Sequence, residues 1–193
     1  MNKANIITIS GALGSGKSTV MKLLAADLGY DTYSTGAAQR KIALKYGVTT
    51  LQLNHMADSN PAIDQEIDGV FRDLKNSGKN YIVDSRMAFY FLPDSFKVKL
   101  NVAVNEAARR VFNDKTRTSE VKFETLEDAK SALIARRASE VARFMGTYGV
   151  NIDDEKNFDL VVDTTDKTPK QICSHIINAF KKSKYYHHAH VKS

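Results

Sequence analysis

Gly11-Ala12-Leu13-Gly14-Ser15-Gly16-Lys17-Ser18 fits the pattern G-x-x-x-x-G-K-[ST] without a mismatch. Directly before it stands Asn5-Ile6-Ile7-Thr8-Ile9-Ser10, a β-rich apolar run, and after it Thr19 to Leu28 reads as a helix. Strand, glycine loop and helix in that order make a phosphate cradle. Glycines let successive N–H groups turn toward one anion, and the helix start adds the positive end of its dipole. Lys17 is a mobile charge for the β- and γ-phosphates, and Ser18 offers a hydroxyl to Mg²⁺. The competing reading is a glycine-rich turn that happens to carry a lysine. Eight positions in register with the right flanks disfavour it. The chain is expected to bind a nucleoside triphosphate through Gly11 to Thr19.

At 193 residues the chain suits one α/β domain with a sizeable core. No apolar run approaches the length that spans a bilayer, and Met1-Asn2-Lys3-Ala4 leads straight into the first strand, so neither anchor nor leader is expected. Cys173 is the single cysteine, which excludes an intrachain disulfide and suits a reducing, cytoplasmic compartment. The net charge of +6 is mostly a tail effect. Lys181, Lys182, Lys184 and Lys192 lie in the last thirteen residues, where no acid occurs; without them 24 basic residues face 22 acidic ones. Nucleic-acid binding by the body is therefore not expected. The stretch 181–193 reads as a basic, mobile tail, and His187, His188 and His190 as part of that tail rather than as metal ligands.

Short apolar strands alternate with helical patterns, which argues for βαβ units and a parallel sheet. The strands are expected at 5–10, 32–34, 80–84, 97–104 and 160–163, and the helices at 17–28, 36–46, 61–76, 105–114, 125–146 and 169–182. Gly29, Gly47 and Gly78 are plausible helix stops, and Asn60-Pro61 and Thr168-Pro169 are helix starts with a capping residue before proline.

All nine arginines fall between Arg40 and Arg143. Guanidinium is the better planar, bidentate partner for phosphate and disperses charge on a transferring phosphoryl group. Arg40 lies in Ser34-Thr35-Gly36-Ala37-Ala38-Gln39-Arg40, at the exit of the second strand. Arg86 follows Tyr81-Ile82-Val83-Asp84-Ser85 at the carboxyl end of the third. Ligands of doubly wound sheets sit outside those carboxyl ends, so both arginines should face the P-loop crevice. Asp84 ends its strand as a Walker B acid does, in reach of Mg²⁺ or Ser18; a plain turn former is the alternative. Along 125–146, Lys130, Ile134, Ala138, Val141 and Met145 cluster within about ±40°, and Arg136, Glu140 and Arg143 point the other way. By periodicity alone that second face reads as solvated, with a weak Arg136–Glu140 pair.

Taken together, GxxGSGKS, STGxxxR, a strand ending DSR, RRASExARF followed by TYGVNIDD, and FDLVVDTT before a Thr-Pro helix resemble the nucleoside monophosphate kinases, most of all the archaeal-type cytidylate kinases. The resemblance runs from residue 5 to about 180. It implies that Gly14, Ser15, Gly16, Lys17 and Ser18 hold the phosphates and metal of ATP. Thr35, Gly36, Arg40 and Arg86 would bind the acceptor phosphate, with Asp84 beside them. Arg109 or Arg110 would begin a lid at 114–124 with Arg117 at its tip, and Arg136 and Arg143 would return on the lid helix, reversing the solvated reading. Residues 36–76 would form the acceptor-binding region, closing over the monophosphate. Departures are Ala37, Asn113 and Asp114, and Arg137, where relatives carry an acid, a lid arginine and an acid; they bear on acceptor identity and turnover.

The expectation is a P-loop kinase fold, a five-stranded parallel sheet of order 2-3-1-4-5, moving the γ-phosphoryl of Mg·ATP to a nucleoside monophosphate, CMP or dCMP first. A kinase of another small acceptor, such as shikimate or a sugar acid, is the runner-up. A nucleotide-binding regulator without turnover and a nucleic-acid module resting on the tail follow.

Overall fold

The computed structural model describes residues 4–48, 52–53, 61–114 and 123–187. Its centre is a five-stranded sheet built of β1 (Ile6–Gly11), β2 (Asp31–Ser34), β3 (Tyr81–Asp84), β4 (Phe96–Asn101) and β5 (Leu160–Asp163). The order is β2-β3-β1-β4-β5 with every pairing parallel, as expected. Around it run α1 (Lys17–Leu28), α2 (Thr35–Tyr46), α3 (Pro61–Asn76), the short α4 (Ala88–Phe91), α5 (Val104–Asn113), α6 (Leu126–Tyr148) and α7 (Pro169–Lys181). Neither α4 nor the 3₁₀ turn at Glu155–Asn157 is announced by the sequence periodicity. Both are too short to show one.

β1 is buried along its whole length and pairs on both sides. Its alternation divides the core. Ile7 and Ile9 pack with Val20, Met21 and Leu24 of α1 and with Ile172, Cys173, Ile176 and Phe180 of α7. On the other face Ile6 and Val83 meet Phe71, Leu74, Ala88 and Leu92. Burying such a side chain is worth about 1.5–3 kcal/mol, so these two layers fix the strand order. Register sets the site: Ile9 and Ser34 both lie opposite Asp84, which brings the carboxyl ends of β1, β2 and β3 level with one another.

Two expectations need correction. Ser183 to His187 are not a loose tail. Tyr186 packs edge-on against Phe180 with centroids 5.3 Å apart, and Tyr185 lies 6.3 Å from Phe96. The His187 N–H donates to Asn5 Oδ1 at 2.8 Å, and Asn5 Nδ2 donates to the His187 carbonyl at 2.9 Å. Two tyrosines suffice to cap the end of the core beside β1. His188 and His190 lie outside the described residues.

The second correction concerns α6. Its start is fixed by a capping box between Thr125 and Asp128. Ala129 and Leu133 pack on Ala107, Ala108 and Val111 of α5. The stripe that clusters in one direction is divided: Val141 packs with Met87, Phe89 and Ile152, but Ile134 and Met145 remain 52% and 47% exposed. The face that periodicity alone read as solvated turns Glu140 inward, its side chain only 17% exposed.

Candidate active site

The P-loop follows β1 and ends where α1 begins. Gly14 has φ +83°, and a Cβ there would lie 2.7 Å from the Ala107 carbonyl, so only glycine lets the loop rest on α5. Gly16 caps α1 at φ +86°. Ser15 is fully buried and its hydroxyl donates to the Ala12 carbonyl at 2.8 Å. The Thr164 hydroxyl donates to the Ser15 carbonyl at 3.3 Å and to the Asn101 carbonyl at 3.0 Å, which ties the loop to the ends of β4 and β5.

Lys17 Nζ donates to the Gly11 and Ala12 carbonyls at 2.8 and 2.9 Å. Burial lowers its pKa to about 8; Arg86 and Arg136 push the same way, against Asp84 and Glu140. A cation so placed gains by meeting an anion. Asp84 is buried at the end of β3, with the Ser18 hydroxyl 3.4 Å and the Ser34 hydroxyl 3.5 Å from its Oδ2. One carboxylate flanked by two hydroxyls is a hard oxygen donor set of the kind Mg²⁺ takes. The Thr35 hydroxyl donates to the Asp84 carbonyl at 3.4 Å, locking the start of α2 to the same strand end.

One open cavity of about 480 Å³ gathers Leu13, Gly14, Gly16, Lys17, Ser18 and Thr19 with Thr35, Gly36, Arg40, Asp84, Arg86, Arg110 and Arg136. Residues from five separate parts of the chain thus meet as the strand ends predict. Arg110 donates to the Thr164 and Thr165 carbonyls at 2.7 and 3.1 Å and to the Gly14 carbonyl at 3.3 Å, so it braces the P-loop against the loop after β5. Arg109 is not part of the cavity; it faces outward on Glu106, whose carboxyl both arginines hold down at a pKa of about 2. Arg143 lies one step away, in a small adjoining cavity of about 50 Å³ with Thr35, Gln39, Phe71, Arg86, Phe144 and Tyr148. Arg117 lies outside the described residues, and so does most of the expected lid at 114–124.

Sequence reasoning did not single out Ser34, Gln39, Thr164 or the inward role of Glu140. Glu140 accepts from Arg86 Nε at 2.5 Å and from Arg136 Nε at 3.1 Å. Its i,i+4 spacing from Arg136 was visible; the link to Arg86, 54 residues away, was not.

The chain matches the sequence pattern of the Cytidylate kinase-like family over residues 6–166. It is 35% identical over 177 residues to a cytidylate kinase of Sulfurisphaera tokodaii, covering 91% of this chain and 94% of that one. It is also 35% identical over 178 residues to an S-adenosylmethionine-dependent nucleotide dehydratase of Lacinutrix mariniflava. There the match takes in 92% of this chain but only 36% of the relative's length. Among solved structures, a shikimate kinase of Acinetobacter baumannii superposes with a TM-score of 0.61 at 17% identity, covering 95% of this chain and 96% of that one. That likeness speaks for the P-loop kinase fold. Because the family match runs from β1 to the loop beyond β5, it takes in the whole sheet and its crevice, and the chain belongs to the cytidylate kinase-like family.

Proposed function

We propose that this chain transfers the γ-phosphoryl of Mg·ATP to a nucleoside monophosphate, with CMP or dCMP as first acceptor, giving ADP and the nucleoside diphosphate. The observation that carries this reading is the shared crevice, one cavity lined by Lys17 and the P-loop together with Arg40, Arg86 and Arg136. An acceptor that already bears a phosphate answers two arginines better than a neutral hydroxyl acid does.

The triphosphate lies along the P-loop N–H groups, and Lys17 exchanges its two carbonyl partners for phosphate oxygens. Ser18 and Asp84 are the residues that would hold Mg²⁺, which when bound supplies charge neutralisation at the β- and γ-phosphates. Arg86 and Arg136 take up charge on the moving phosphoryl group, and Arg40 steers the acceptor phosphate into line. The reaction needs no covalent intermediate; positioning and preorganised charge supply most of the rate.

The test is ADP release with ATP against a panel of nucleoside monophosphates and small hydroxy acids, shikimate among them. Stimulation greatest with CMP or dCMP is expected. Stimulation only by a hydroxy acid, or by no acceptor at all, overturns the proposal; the latter with tight ATP binding would favour a regulator.

A further inference from the structure

Glu140 is held by more cations than a surface ion pair requires. One carboxylate oxygen accepts from Arg86 Nε at 2.5 Å and the other from Arg136 Nε at 3.1 Å, and Arg137 Nη1 stands 3.8 Å from the first. Arg86 belongs to the loop after β3, and Arg136 lies one turn before Glu140 on α6. A single acid therefore joins two elements that converge on the crevice. The crevice lining includes both arginines without Glu140. Glu140 instead lines, with Arg136, Arg137 and Asp153, a second groove along α6. The acid stands behind the arginines, gripping each by its Nε.

The acid is itself braced. Arg137 also donates to the Asp153 carboxylate. Lys99 of β4, 5% exposed, donates to the Asp153 carbonyl at 2.7 Å and sits 3.7 Å from its carboxylate. A line of charge thus runs from the buried sheet through Asp153 and Arg137 to Glu140. Burial pushes the Glu140 carboxyl up, yet Arg86 and Arg136 outweigh burial and hold it below the usual carboxylate range, so it remains an anion.

We infer that Glu140 is a positioning residue, which clasps Arg86 and Arg136 from behind so that the two guanidinium groups face the phosphoryl oxygens as one preorganised pair. The inference rests on the phosphoryl-transfer reading above. Long arginine side chains sample many rotamers when unpaired. Fixing both before substrate arrives removes that ordering from the path to the transition state, where an error of about 1 Å costs up to about 100-fold in rate. Glu140 also offsets two like charges that would otherwise repel each other.

The experiment compares E140Q and E140D with wild type in two readouts. In steady-state turnover, E140Q lowers kcat by about 10- to 100-fold and changes the KM for ATP by no more than about threefold, since it alters arrangement rather than the P-loop cradle. E140D recovers part of the loss. In phenylglyoxal labelling followed by peptide mass spectrometry, Arg86 and Arg136 become several-fold more reactive in E140Q than in wild type, while exposed Arg40 does not change. E140D is intermediate. A folded E140Q with wild-type kcat, or one that raises only KM, overturns the inference, and so does unchanged labelling of Arg86 and Arg136. If E140Q fails to fold, E140D carries both readouts by the same criteria. A wild-type chain with no acceptor-dependent turnover would sink the reaction proposed above, and the labelling would still decide whether Glu140 clasps the two arginines.

Discussion

At the scale of single residues, charge placement sets the chemistry. Lys17 is the group proposed to follow the γ-phosphoryl, and its amine sits on the Gly11 and Ala12 carbonyls. Lys17→Ala should therefore abolish acceptor-dependent ADP release while leaving the circular dichroism spectrum unchanged. Near-normal turnover in that variant would refute the proposed mechanism. Cys173 is a packed thiol, buried among Val20, Ile172 and Ile176. Burial pushes its pKa up to about 11, with Asp27 adding to the effect. At pH 8 only about one native thiol in a thousand is thiolate, so iodoacetamide should label the folded chain far more slowly than the urea-unfolded one. The linkage sign follows. The unfolded chain loses this proton first as pH rises, so Cys173 contributes stability that is complete below about pH 9 and disappears as pH climbs through about 11. Denaturant midpoints at pH 8 and pH 10.5, compared between wild type and Cys173→Ala, measure that difference.

At the scale of elements, two of the three P-loop glycines, Gly14 and Gly16, are required for different reasons. Gly16 needs its left-handed φ but has open space around its Cβ direction; Gly14 needs both its φ and the room beside Ala107. Gly16→Ala should cost about 1–2 kcal/mol from backbone strain alone. Gly14→Ala should cost more, about 2–4 kcal/mol, because strain is joined by overpacking against backbone atoms. Urea unfolding of both variants checks the order, and equal losses would mean that α5 yields to the loop. α6 shows where element-level reading fails. A helical wheel separates Ile134 and Met145 from Arg136 and Glu140 correctly, but it cannot say which side is inside. Hydrophobicity names the first side; the crevice and Arg86 make Glu140 face inward instead.

At the scale of the whole molecule, the last described residues close the core. Tyr186 packs on Phe180, and His187 exchanges two hydrogen bonds with Asn5, so the two ends of the described chain are joined beside β1. Tyr186→Ala should lower stability by about 1–3 kcal/mol, read as a drop in denaturant midpoint with unchanged KM for ATP; no loss would return 183–187 to the status of a loose tail. Lysines at 181, 182 and 184 had argued for a solvated end, and the tyrosines among them decided otherwise. Most of the architecture was legible. The glycine loop, the five apolar runs and the Thr168-Pro169 start are local signals, written in backbone freedom, side-chain period and capping, and those act over a few residues whatever surrounds them. By itself, therefore, the sequence determined the glycine loop, the alternation of strands and helices, and the strand end that carries Asp84 and Arg86, while the strand order followed from the family resemblance and not from any local signal. Only the tertiary structure decided that Arg110 rather than Arg109 reaches the crevice, that Arg143 lies beside it, and that Glu140 joins Arg86 to Arg136. Those choices depend on which side chains meet after distant segments pack, and no spacing along the chain encodes a contact made across it.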